Sequence, residues 1–102
     1  MATIFDAIAD PTRRRMLDRL RHDGPLSVTQ LARPLEMTRQ GATKHLDVLV
    51  ESGLVRMRRR GRLRLHALEP AALGELWDWL APYAAEWDRR LDRLRRLVDA
   101  QP

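Results

Sequence analysis

Between Leu54 and His66 the chain carries six arginines, Arg56, Arg58, Arg59, Arg60, Arg62 and Arg64, and no acid. Like charges this dense repel one another, and a polyanion relieves the repulsion. A second polar group lies upstream, where Thr38, Arg39, Gln40, Thr43, Lys44 and His45 occupy the start of a helical period. The guanidinium fork of Arg39 suits guanine, and the amide of Gln40 suits adenine. Thr43 can donate to a base or a phosphate, and Lys44 supplies a point charge. His45 suits either a phosphate or a backbone partner. The free amides of a helix starting at Thr38 also favour phosphate.

The rest of the composition narrows the chemistry. The 102 residues hold 19 Lys+Arg against 14 Asp+Glu, a net of +5, and Lys44 is the only lysine. Residues 1–68 carry fourteen basic and seven acidic side chains, and residues 69–102 carry five and seven. The positive field therefore belongs to the first two-thirds, and the last third serves another purpose. There is no cysteine, which removes disulfides, thiolate metal sites and thiol nucleophiles together. His22, His45 and His66 stand far apart, and Asp88, Asp92 and Asp99 have no histidine beside them. Carboxylates alone make a poor transition-metal site, so neither metal nor cofactor is expected. Ser27 and Ser52 lack a histidine base in any motif spacing, and no Gly-rich phosphate loop or carboxylate pair occurs. Catalysis is not expected. No basic stretch followed by an apolar run opens the chain, and no apolar segment approaches the roughly 18 residues of a membrane span. The expected setting is cytoplasmic, without membrane contact.

These groups need elements to hold them. Thr3 caps a short helix to Ala9, with Ile4, Phe5 and Ile8 on one face. Asp10-Pro11 opens a second helix to about His22, with Met16, Leu17 and Leu20 inward, and Gly24-Pro25 ends it. Ser27 and Gln30 form a capping box for a short third helix, with Val28, Leu31, Ala32 and Leu35 inward. The helix capped by Thr38 turns Ala42, Leu46, Leu49 and Val50 inward and stops at Gly53. Then the period becomes two. Val55 and Met57 alternate with Arg56 and Arg58; Leu63, Leu65 and Ala67 alternate with Arg62, Arg64 and His66. This predicts a β-hairpin with an apolar underside and an arginine-covered outer face. Pro70 opens a helical stretch to about Val98, with a kink or break near Ala81 because of Pro82. Along it Leu76, Leu80, Tyr83, Trp87, Leu91, Leu94 and Val98 form a seam of the kind helices use to pair.

Two short helices, a tight turn and a basic hairpin describe a winged helix-turn-helix, mainly α with one small β-hairpin. The expected domain is single, residues 1–102, with DNA binding in 10–68 and dimerisation in 2–9 and 70–99. The expected partner is double-stranded DNA, read by a recognition helix over 38–52 in the major groove. The DNA-binding residues are Thr38, Arg39, Gln40, Thr43, Lys44, His45, Arg58, Arg59, Arg60, Arg62 and Arg64. The arginines of the wing would follow phosphates or enter the minor groove. The second partner is another copy of the chain, through Ile4, Phe5, Ile8, Tyr83, Trp87, Leu91, Leu94 and Val98. In the run Arg13-Arg14-Arg15, at least two members are expected to lie on a solvated helix face paired with Asp18 and Asp10 rather than to reach DNA. The competing reading is a winged-helix module whose basic face binds an acidic protein. Exposed aromatics in the recognition helix would favour it, and Thr38 to Asp47 contains none. No residue identifies an effector, small molecule or protein.

The ordered motifs resemble the ArsR/SmtB winged-helix repressors. The stretches that carry the resemblance are Ala9-Asp10-Pro11-Thr12-Arg13-Arg14, Thr43-Lys44-His45-Leu46-Asp47-Val48-Leu49 and Glu51-Ser52-Gly53-Leu54-Val55. Trp79-Leu80, Tyr83 and Trp87 look closest to a cysteine-free branch without metal ligands. Gly41 departs from the pattern, standing where the family more often has a helix former. The resemblance implies a homodimer that binds an inverted repeat and represses transcription, with the first and last helices at the dimer interface.

Overall fold

The computed structural model describes residues 2–100; the expected domain bounds, 1–102, run past it at both ends. The first four α-helices, like the last, begin on side chains that satisfy their open amides. In α1 (Ile4–Ile8) Thr3 and Asp6 cap one another reciprocally. In α2 (Pro11–Asp23) the Asp10 carboxylate accepts from the Arg13 amide at 3.0 Å, with Pro11 in the first turn. Ser27 and Gln30 close the start of α3 (Val28–Ala32), which ends in a 3-10 turn over Arg33–Leu35. Thr38 accepts from the Gly41 amide at 3.0 Å to start α4 (Arg39–Glu51). Between α3 and α4 the chain reverses through Glu36 at φ 53°, a left-handed conformation in a non-glycine residue. Amide bonds from Glu36 to the Arg33 carbonyl and from Met37 to the Ala32 carbonyl hold that turn.

The core gathers where α2, α3 and α4 meet the base of the hairpin. Met16, Leu31, Leu46, Leu49, Leu54 and Val55 are its largest fully buried side chains. Ala32 and Ala42 are buried where helices approach closely. Val50, expected inward, is exposed. It lies about a quarter-turn past the Ala42–Leu46–Leu49 stripe, at 100° per residue.

The hairpin differs from its expectation. Strands β1 (Val55–Arg60) and β2 (Leu63–Leu68) pair antiparallel, with Val55 opposite Leu68, Met57 opposite His66, Arg58 opposite Leu65 and Arg59 opposite Arg64. Directly opposed residues share a face. Apart from Leu68, the apolar residues sit at odd positions in both strands, but the two-residue turn Gly61-Arg62 pairs odd with even. They therefore fall on opposite faces, and so do the arginines. There is no all-apolar underside. One face carries Val55, Met57, Arg59, Arg64, His66 and Leu68; the other carries Arg56, Arg58, Arg60, Leu63, Leu65 and Ala67. His66, expected on the outer face, is 5% exposed and exchanges backbone hydrogen bonds with Leu26.

Helix α5 (Pro70–Asp99) starts on the Glu69 carboxylate and runs unbroken through Pro82, so the expected break does not occur. The Asp78 carbonyl loses its helical donor there, at an exposed residue where solvent is open to it. Ala72 is the only buried residue of the helix. The rest projects outward, and the described residues together, α5 included, measure 65 × 26 × 22 Å. Trp87 and Leu94 are 59% and 57% exposed. Helix α1 packs Ile4 and Ile8 partly against the core, while Phe5 turns its ring edge-on to Trp79, with centroids 5.1 Å apart. No helix among the described residues is long and apolar enough to cross a membrane.

Candidate nucleic-acid interface

Helix α4 and the hairpin stand on two sides of an open hollow of about 800 Å³. One wall is the line Arg39, Thr43 and Asp47, spaced four residues apart along α4. The other wall is Met57, Arg59 and Arg64 on the inward face of the hairpin, with Arg62 at its tip. Ser27 and Thr29, at the start of α3, close one end, and His66 lies at the floor. Five expected binding residues therefore meet around one space: Arg39, Thr43, Arg59, Arg62 and Arg64.

Thr38, Gln40 and Lys44 are exposed on α4 but lie outside the hollow. The helical period puts Gln40 and Lys44 on the side away from the core stripe. Arg58 and Arg60 face away from α4, beside Arg56 and Pro25 in a smaller hollow. The wing is thus cationic on both faces, a direct consequence of its register.

Two expected contacts change character. Thr43 donates its hydroxyl proton to the Arg39 carbonyl at 2.8 Å. With its proton committed there, the hydroxyl is left as an acceptor beside its methyl and not as a donor. His45 does not join the hollow. Its Nδ1 lies 3.4 Å from Arg13 Nη1 and 3.9 Å from an Asp10 oxygen, on the flank of α4 that faces α2. Arg13 itself donates to the Ala7 and Asp6 carbonyls, both at 2.8 Å. Arg14 donates to the Ile8 carbonyl at 2.8 Å. These two arginines tie the end of α1 to α2, in place of the expected solvated face paired with Asp10 and Asp18.

At the floor, His66 Nδ1 is buried with no hydrogen-bond partner. Burial holds its pKa below the ordinary value, and the Arg64 guanidinium acts the same way. The Leu26 backbone and the Asp47 carboxylate oppose that shift. Ser27, Thr29, Asp47 and Met57 line the hollow without having been expected there. The four-residue spacing from Arg39 through Thr43 pointed to Asp47; the others depend on the turn length and on how α3 docks.

The chain is similar to several known proteins. The family model described as a helix-turn-helix domain matches residues 8–58. The HTH-type transcriptional regulator Rv2034 of Mycobacterium tuberculosis is 38% identical over 97 residues, covering 95% of this chain and 87% of that protein. The transcriptional repressor SdpR of Bacillus subtilis is 26% identical over 91 residues, covering 89% of this chain and all of SdpR. Among solved structures, the ArsR family transcriptional regulator RHA00566 superposes with a TM-score of 0.72 at 40% identity, covering 83% of this chain and 92% of that one.

Proposed function

Because this chain belongs to the ArsR family of winged-helix transcriptional regulators, we propose that it represses transcription in the cytoplasm as a homodimer seated on an inverted-repeat operator. It is a DNA-binding regulator and not an enzyme. The recognition helix, 38–52 with its caps, enters the major groove and offers Arg39, Gln40 and Thr43 to base edges. Thr38 and Lys44 hold phosphate. Arg59, Arg62 and Arg64 grip the DNA strand that fills the hollow, while Arg58 and Arg60 reach phosphates or the minor groove from the wing's other face. The DNA-binding part is 10–68. The dimerisation parts, 2–9 and 70–99, contribute Ile4, Phe5, Ile8, Tyr83, Trp87, Leu91, Leu94 and Val98. The half-exposed apolar row of α5, continued through Trp79 to Phe5, supports that assignment. The absence of cysteine supports regulation without a metal.

The observation that carries the reading is the convergence of Arg39 and Thr43 with Arg59, Arg62 and Arg64 around one open hollow. Selection of binding sites from a random duplex pool at moderate salt tests it. The expected product is an inverted repeat whose half-sites lie about 34 Å apart, or a multiple of that. Binding that enriches no sequence overturns the reading.

A further inference from the structure

Asp47 is the one acid among the described residues lining the cationic hollow. It continues the line of Arg39 and Thr43 along α4, so a duplex lying against those two residues meets it as well. Its side chain is exposed and, among the described residues, makes no hydrogen bond or ion pair with the three wing arginines that line the same space; its electrostatic neighbour is the buried His66 at the floor. No bond to the fold fixes its carboxylate, which stays open to the hollow. It also works against every phosphate that enters. A surface built only to hold a polyanion would be stronger without it.

The position makes sense where a hydrogen-bond donor faces it instead. In the major groove the N4 amine of cytosine is such a donor. The amine of adenine is a poorer match, because the N7 acceptor beside it repels a carboxylate. We infer that Asp47 is a specificity determinant of this cleft: its carboxylate accepts from the N4 amine of a cytosine in each half-site and repels the backbone in every other register. This rests on the DNA-binding reading above. Attraction to the right base and repulsion of the wrong register act in the same direction, which is how selective interfaces discriminate.

The test repeats the selection with full-length wild type, Asp47→Ala and Asp47→Asn, and measures the affinity of each for one random duplex. The wild type is expected to fix a C·G pair at one position of each half-site. Asp47→Ala should enrich the same repeat with that position degenerate, discrimination there falling about tenfold. Its affinity for the random duplex should rise severalfold. Asp47→Asn loses the charge and gains an amide donor beside its acceptor, a pattern that suits adenine, so it should move the preference at that position away from cytosine toward adenine while binding random DNA as tightly as Asp47→Ala. An unchanged base preference in Asp47→Ala overturns the inference, as does an unchanged affinity for random DNA. A wild type that selects no sequence overturns the DNA-recognition reading and this inference together. A wild-type operator that Asp47→Ala reproduces in full overturns the inference alone.

Discussion

Arg59 and Arg64 stand directly opposite each other across the hairpin, two guanidinium groups on one face of a two-stranded sheet. Like charges so placed destabilise a sheet, and among the described residues neither guanidinium forms an ion pair. Under the proposed DNA binding, the phosphates that enter the hollow relieve this repulsion. Arg64→Gln should therefore raise the melting temperature slightly at low salt, by less than about 1 kcal/mol of stability, and weaken DNA binding. Thermal melts at two salt concentrations, set beside DNA titrations, check this. A variant that melts lower at both salts would show that the pair supports the wing.

Arg13 should behave in the opposite way. Its guanidinium bonds to two carbonyls at the end of α1 and lies beside His45. Arg13→Ala leaves those acceptors to water and should cost about 1–3 kcal/mol in urea denaturation. The salt dependence of DNA binding should not change, because no phosphate contact is lost. A shallower salt slope in this variant would move Arg13 into the DNA interface.

His66 predicts a pH window. Its pKa is lowered in the fold, so the unfolded chain binds the proton more readily. Stability should be constant above the unfolded value of 6.5 and fall as pH drops below it. The loss ends once pH passes below the folded value. His66→Leu removes both the titration and the orphaned Nδ1. Urea midpoints between about pH 5 and 7.5 should slope for the wild type and flatten for the variant. Equal slopes would assign the effect to another group.

Asp6 and Asp10 act at lower pH. Backbone amides at their helix starts hold both carboxyl groups below the ordinary 3.8, Asp6 through Thr3 and Asp10 through Arg13. Their contribution is present above that value and lost as pH falls through the folded values. Asp10→Asn keeps a cap without a titrating group, so its acid denaturation should be less steep than the wild type's. An unchanged acid transition would assign that steepness to other carboxylates.

The apolar row of α5 predicts association. Leu91→Asp and Leu94→Asp should yield monomers in sedimentation and weaken operator binding strongly. Wild-type protein that sediments as a monomer at micromolar concentration would leave the row without its cover.

The helix starts were legible residue by residue. Thr3, Asp10, Ser27 and Thr38 all accept from the amide three residues on, because capping depends on local geometry alone. The wing was legible as a hairpin but not in its faces. Alternation in each strand shows two sides, yet which sides coincide depends on the parity of the turn, and Gly61-Arg62 makes it even. His66 went astray for that reason, and with it the hollow's floor. The place of His45 outside the hollow was not legible, because the Arg13 guanidinium beside it comes from another helix. The seam of α5 was legible by period, but whether it packs inside its own chain or outward is a tertiary question.

Helix α5 buries one residue against its own domain, Ala72, and beyond it rests an aromatic ring, Trp79, on Phe5. Under the dimer reading, most of the cover for its thirty residues comes from another molecule, so order in the helix depends on protein abundance. Operator occupancy then scales with the square of protomer concentration at low dosage. A cell that halves its supply of the protein would lose about three-quarters of the assembled dimer. Expression level alone can set a threshold for derepression, with no ligand needed to trip it.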